Sequence, residues 1–346
     1  MDSINIQNQD TTQPKTLEAK DMFSFDGQSQ IYAKVRPVYP DLFYSQLEKY
    51  LIEQEKPKNY RVCLDIGTGT GQIARKLAPK FEHIYGLDIS EKQLEQARTE
   101  NKDLSNLSFH LCDVYDIEKF VNDNELKGKV DLIIMGEVFH WFDPVKALEI
   151  IHQVASQSNA LVVIWAYFQF SFIHQSAEKD VFDVNLEYLR SFNEVQFDKE
   201  EIQDENLQKL YQSYNTSLYK FDALAVPYYA FDVTGVLGKF YTTIDFDSKY
   251  FDFVNKTCVI QNLHTSAQHA LDFLHSTSGY RVLLERNGIQ IGDKVRDPAE
   301  IFKQEIIETY KNYKKTKDED LKIEVELKDI ETLIGWPFFS IVLKVK

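Results

Sequence analysis

The chain has 346 residues, more than one minimal domain needs and within reach of a single enlarged α/β domain. Its 39 Lys and Arg stand against 54 Asp and Glu, a net charge of −15 that repels phosphate backbones and anionic lipid, so neither nucleic acid nor a membrane is an expected partner. Aromatics at 13% exclude a disordered composition, no apolar run reaches the roughly 18 residues that span a bilayer, and three cysteines without metal spacing exclude a disulfide framework.

Residues 1–20 are polar and carry acids, with neither an apolar signal core nor an Arg-rich presequence, and read as a tail on a cytoplasmic protein. From residue 60 short apolar runs alternate with helical periodicity. The runs are 61–64, 83–87, 107–111, 130–135 and 161–165, and their length suits strands buried on both faces. Between them Ile73, Ala74, Leu77 and Ala78 recur at helical spacing, Ser90 with Gln93 forms a capping box, and Asp143-Pro144 opens a further helix. The stretch 113–129 carries the weakest helical signal. This order predicts a Rossmann-like, doubly wound, mostly parallel α/β sheet.

After Trp165 the rhythm changes. Acidic amphipathic segments fill 175–220, an aromatic and β-branched stretch over 221–260 resists assignment, and helices return near 265–275, 279–287 and 298–313. Two final runs, Leu321–Leu327 and Phe338–Val345, predict an antiparallel C-terminal hairpin that brings the sheet to seven strands. The long interval after the fifth strand predicts an inserted, mainly helical cap over 168–290, with 291–346 completing the core sheet begun by 21–167.

The sharpest local signal is Leu64-Asp65-Ile66-Gly67-Thr68-Gly69-Thr70-Gly71, between a buried strand and a helix. Its G-x-G-x-G spacing differs from the dinucleotide fingerprint G-x-G-x-x-G, and an acid precedes it. A pyrophosphate seeks amides and a helix dipole and is repelled by a carboxylate; Asp65 suits a cationic or zwitterionic ligand instead. Asp88, followed by Ile89, ends the second strand, where a carboxylate can accept both hydroxyls of a ribose. Asp113, followed by Val114, ends the third, where it and the next amide can read an adenine edge. Either acid can equally be a helix cap.

Asp65 to Gly71, with Asp88 and Asp113, resembles a class I S-adenosylmethionine-dependent methyltransferase. Phe25-Asp26, Tyr32-Ala33-Lys34-Val35-Arg36-Pro37-x-Tyr39-Pro40 and Val138-Phe139-His140-Trp141-Phe142-Asp143 resemble the trans-aconitate methyltransferase-like group within it. The resemblance covers about 22–167 and implies S-adenosylmethionine as cofactor and a small molecule, with carboxylate O-methylation the first expectation, as substrate. It assigns the methionine moiety to Gly67, Thr68, Gly69 and Gly71, the ribose to Asp88 and the adenine to Asp113, with Tyr32 folding over the cofactor. Thr68 stands where many relatives have Cys, and Glu137 where they have a small residue, near the sulfonium. His140 and Trp141 are expected to line the methyl-transfer pocket or to pack at a helix entrance. Arg36 is a candidate for a substrate carboxylate or a surface ion pair, and Tyr32 and Tyr167 for an aromatic lid or core packing. No metal site is expected, and the sequence is silent on oligomeric state. Two alternatives remain beside an active enzyme: a non-enzymatic binding or assembly protein on this fold, and an NAD(P)-dependent oxidoreductase, which the glycine spacing disfavours.

Overall fold

Strands that are apolar at every position need cover on two sides, and they receive it. The computed structural model describes residues 35–55, 60–173, 175–176, 192–197, 200–228, 237, 239, 241–246, 249–317 and 324–346. Helix α1 (Asp41–Glu53) leads to strand β1 (Tyr60–Ile66). There follow α2 (Gln72–Leu77), β2 (Phe81–Asp88), α3 (Glu91–Glu100), β3 (Leu107–Leu111), α4 (Ile117–Asp123), β4 (Val130–Gly136), α5 (Pro144–Ala155) and β5 (Leu161–Tyr167). The spatial order is β3-β2-β1-β4-β5, all parallel. The chain reverses direction across the sheet between β1 and β4, which opens a crevice at the strand carboxyl ends.

The two-residue period of the strands sorts their side chains. Cys63, Leu132, Ile134, Val163 and Trp165 join one core with Phe43 and Leu47 of α1, Ile73 of α2 and Leu94 of α3. Leu64, Ile133, Met135, Val162 and Ile164 join the other with Val121 of α4 and Ile151 of α5. Each such large apolar side chain stabilises by about 1.5–3 kcal/mol on burial, which is why no position of β5 is left polar. Helix starts follow the expected caps: Ser90 Oγ accepts from the Gln93 amide at 3.4 Å, and Asp143 accepts from the amides of Val145 and Lys146. The weak stretch after β3 holds a single turn, Val114–Asp116, and the short α4.

Beyond β5 come β6 (Ser171–Phe172), β7 (Glu194–Phe197), α6 (Glu205–Ala225), β8 (Phe251–Ser266), α7 (Ala267–Ser276), α8 (Ser278–Asn287), α9 (Pro298–Thr316) and β9 (Glu331–Val345). β9 runs antiparallel between β5 and β8, β6 pairs with β9, and β7 lies parallel to β8. The expected mixed sheet therefore stands, with more strands than seven.

Two expectations about its far edge are corrected. The antiparallel partner of β9 is β8, not 321–327: residues 324–326 lack regular structure, Leu327–Asp329 form a turn, and 321–323 lie outside the described residues. β8 escaped the sequence because Asp252, Asn255, Lys256, Gln261, Asn262 and His264 interrupt its apolar pattern, and much of it is only half-buried. The sheet accordingly resumes at Ser171 rather than at 291, and it takes β6, β7 and β8 from the 168–290 stretch expected as the cap. The tail 1–20 lies outside the described residues.

Candidate active site

The glycine turn is stitched to the end of β2. The amides of Gly67 and Thr68 donate to the Leu87 carbonyl at 2.7 and 3.0 Å, and the Gly69 amide donates to Asp88 Oδ2 at 2.9 Å. Gly67 has φ +69°, and a Cβ there would lie 2.5 Å from Val138 Cγ2, so no side chain fits. At Gly69, φ +55°, a Cβ would meet only Gln93 Oε1 at 4.0 Å. Here the missing side chain leaves room for a ligand over the backbone. Gly71 lines neither cavity described below; with φ +78° and a Cβ position 2.8 Å from Phe109 Cζ, it packs the start of α2.

Three carboxylates surround this turn at successive strand ends. Asp65 is 1% exposed; its Oδ2 accepts from Thr68 Oγ1 at 2.7 Å, while its buried Oδ1 has no hydrogen-bond partner among the described residues. Burial pushes its carboxyl up to about 7, against the pull of the Thr68 hydroxyl. Asp88 accepts the Ser90 amide on Oδ1 and the Gly69 amide on Oδ2, both at 2.9 Å; burial raises its carboxyl and these amides oppose the rise. Asp113 Oδ1 accepts the Tyr115 amide at 3.1 Å. Asp88 and Asp113 thus cap turns and face a cleft at once, so the two readings of these acids do not compete.

Two cavities meet at the turn. The first, about 270 Å³, is lined by Asp88, Ile89, Gln93, Asp113, Val114 and Trp141, with Cys112, Tyr115, Val138 and Phe142. The second, about 110 Å³, is lined by Arg36, Tyr39, Asp65, Thr68, Arg75 and Tyr167 among others. Gly67, Gly69, Gly136 and Glu137 line both. Among the described residues Glu137 is therefore the one non-glycine residue at the junction.

Glu137 follows β4 with φ +54°, a left-handed conformation that costs a side-chain-bearing residue about 1–3 kcal/mol. Its Oε1 accepts the Tyr167 amide at 2.7 Å, and its own amide donates to the Trp165 carbonyl at 2.9 Å. Burial pushes its carboxyl up to about 8, against the pull of the Tyr167 amide and the Arg36 charge. Arg36 Nη1 donates to the Tyr167 hydroxyl at 3.1 Å, and its guanidinium lies 4.7 Å from the Phe273 ring centroid. Arg36 and Tyr167, expected separately at a substrate, thus form one unit on the Asp65 side.

Of its two expected places, His140 takes the packed one. It is 8% exposed, lines neither cavity, and its Nδ1 is 2.7 Å from the Tyr241 hydroxyl. Burial, aided by the Arg36 charge, lowers its pKa to about 3, so the imidazole is neutral and weakly basic. The turn Phe139–Trp141 aims it at the core beside Tyr241, while Trp141 faces the first cavity. Tyr32 lies outside the described residues. Sequence reading missed Tyr39, Gln93 and Tyr115 as lining residues. Tyr39 stood inside the quoted Arg36–Pro40 segment, and Gln93 was read only as a cap partner, although its Oε1 is buried without a hydrogen-bond partner. Among the described residues no group of three or more His, Cys, Asp or Glu suits a metal ion, and no helix is long and apolar enough to cross a membrane.

Residues 57–189 match a family model described as a methyltransferase domain. Over that stretch the chain is similar to methyltransferase domains. Its sheet and helices form the Rossmann-like fold of class I methyltransferases. The chain is 28% identical over 159 residues to a candidate methyltransferase of Dictyostelium discoideum, covering 45% of this chain and 53% of that one. It is 29% identical over 125 residues to the methyltransferase nsrG of Aspergillus novofumigatus, covering 36% and 45%. The chain thus spans about half the length of the curated relatives it matches. A candidate type II methyltransferase from Anaeromyxobacter dehalogenans, 17% identical, superposes over 89% of this chain and 97% of that one with a TM-score of 0.50, which shows the shared fold.

Proposed function

We propose that this chain transfers the methyl group of S-adenosylmethionine to a small molecule. One observation carries the reading: two cavities that meet over the open backbone of Gly69, one bearing Asp88 and Asp113, the other bearing Asp65 and Arg36. Asp113 with Val114 suits an adenine edge and Asp88 a ribose diol. The unpartnered Oδ1 of buried Asp65 suits an α-ammonium group, and the Arg36 guanidinium suits the α-carboxylate beside it. An amino acid is a zwitterion, and this pair of charges is its complement. Arg36 is accordingly proposed to hold the cofactor rather than a substrate acid. The bound cofactor supplies a methyl carbon on a positively charged sulfur; the protein's part is to align the acceptor and exclude water.

Carboxylate O-methylation by a trans-aconitate methyltransferase-like enzyme is the reading that an Arg36 free for substrate supports. The assignment of Arg36 to the methionine end removes that support, and the buried Glu137 carboxyl at the junction disfavours a second anion there. Calorimetry with S-adenosylmethionine, S-adenosylhomocysteine and NAD tests the proposal, together with labelled methyl transfer to a metabolite panel. Affinity for the first two without NAD is expected, with at least one compound labelled. Binding without transfer to any compound favours the non-enzymatic reading, and binding of NAD alone favours the oxidoreductase.

A further inference from the structure

A carboxylate acceptor arrives without a proton, whereas a hydroxyl or ammonium acceptor must lose one. We propose that Glu137 takes that proton, and that the acceptor is therefore a hydroxyl or an amine. The inference rests on the cofactor reading above. If the adenosine lies in the cavity of Asp88 and Asp113 and the amino-acid end in the cavity of Asp65 and Arg36, the sulfur passes their junction. Among the described residues four line both cavities and three of them are glycines, so of these Glu137 alone brings side-chain chemistry to the junction.

Three further observations point the same way. Glu137 occupies a backbone conformation that favours glycine, and it is held there by bonds through both its amide and its Oε1, to Trp165 and Tyr167. His140 is committed to Tyr241 and Asp88 to the amides of Gly69 and Ser90, while Asp65, with one oxygen on Thr68, is assigned to the ammonium end of the cofactor in the second cavity. The charged and titratable groups facing Glu137 are the Arg36 guanidinium, the Tyr167 hydroxyl bonded to it, and the buried Tyr241 with its His140 partner. Arg36 favours the ionised carboxylate, and the cationic sulfur does so further. In the step itself, the acceptor's lone pair forms the bond to the methyl carbon and the pair of the breaking carbon–sulfur bond stays on sulfur. The acceptor's proton passes to the Glu137 carboxylate, so charge and atoms balance.

The test needs no knowledge of the acceptor. Sinefungin carries a protonated amine on carbon where S-adenosylmethionine carries its sulfonium methyl; S-adenosylhomocysteine has nothing there. Wild-type protein is expected to bind sinefungin at least about tenfold more tightly than S-adenosylhomocysteine, the scale of one charge-assisted hydrogen bond. Glu137→Gln is expected to bind S-adenosylhomocysteine within about threefold of wild type while losing that preference, and Glu137→Asp to keep part of it. Calorimetry of the wild type at pH 7 in buffers of different ionisation enthalpy adds a measurement that needs no variant. Sinefungin is expected to release about one proton more than S-adenosylhomocysteine as Glu137 ionises against the amine, with any proton from Asp65 common to both. Equal affinities and equal proton release in the wild type, or a preference unchanged in Glu137→Gln, would overturn the proposal. Failure of the wild type to bind any of these ligands would instead overturn the cofactor reading on which it rests. Once an acceptor is found, Glu137→Gln is expected to slow its methylation by about 10²–10⁴-fold.

Discussion

At the scale of single residues, the site is built from carboxylates held in unequal environments. Asp88 is oriented by two backbone amides and lines the larger cavity. Asp88→Ala is expected to weaken S-adenosylmethionine by about 1–3 kcal/mol, the cost of unmaking charged hydrogen bonds, as read by calorimetry. Asp65 is buried with one oxygen unpartnered, and its carboxyl is raised to about 7. Below that pH it is neutral and cannot pair with an ammonium; above it the charge is present. S-adenosylhomocysteine affinity should therefore rise between pH 6 and 8, and Asp65→Asn should flatten the rise. A profile unchanged by that substitution would remove Asp65 from the ligand. His140 shows the opposite lesson. A histidine beside a tryptophan after the fourth strand looks like a catalytic pair, yet burial and the Tyr241 hydroxyl make it a packing group. Sequence spacing left packing and pocket lining open for His140, because Tyr241, which decides between them, is distant along the chain.

At the scale of elements, local signals and tertiary ones separate cleanly. The five parallel strands and their helices were legible because each strand carries a short run rich in apolar residues, the central ones buried on both faces, and each crossover opens with a side-chain cap or a glycine turn. β8 was not legible, because polar side chains break its pattern and it is held by fifteen-residue pairing with β9 rather than by its own periodicity. The segment 241–246 behaves similarly. Tyr241 and Phe246 pack against Phe139, and Tyr241 reaches His140, so the insertion after β5 braces the loop that follows β4. Tyr241→Phe leaves the buried His140 nitrogen without this partner and should lower unfolding free energy by about 1–3 kcal/mol in urea titrations. Since His140 lines neither cavity, S-adenosylhomocysteine affinity should stay unchanged; a large loss of affinity would show that the brace also shapes the site.

At the scale of the whole molecule, the fold carries several buried acids whose cost depends on pH. Burial raises Asp65 and Asp222 to about 7 and Glu137 to about 8, all above their unfolded values near 4. The folded state therefore holds more protons than the unfolded state in this range, and the stability these groups contribute at low pH is lost as pH rises through 7 and 8. From pH 7 to 8 the five histidines that burial lowers, His83, His110, His140, His269 and His275, are mostly neutral in both states, so the acids set the sign. The melting temperature of the ligand-free protein should fall across that window. Above pH 8, Lys256, lowered to about 8 by burial, begins to act in the opposite sense. Cationic ligands that pair with Asp65 or Glu137 should recover part of the loss, sinefungin more than S-adenosylhomocysteine. A melting temperature rising from pH 7 to 8 would show that these carboxyls are not buried in the folded protein.

The sequence by itself determined the parallel half of the sheet, the glycine turn and the three acids at strand ends, because those depend on periodicity and on residues within one turn of each other. Only the tertiary structure decided which segment completes the sheet, that His140 is packed away while Glu137 stands at the junction of two cavities, and that Arg36 sits with Tyr167 beside Asp65. Those are facts about burial and about partners far apart in the chain. Local spacing is blind to both, since the free energy of a charge or a hydrogen bond is set by what the fold brings next to it.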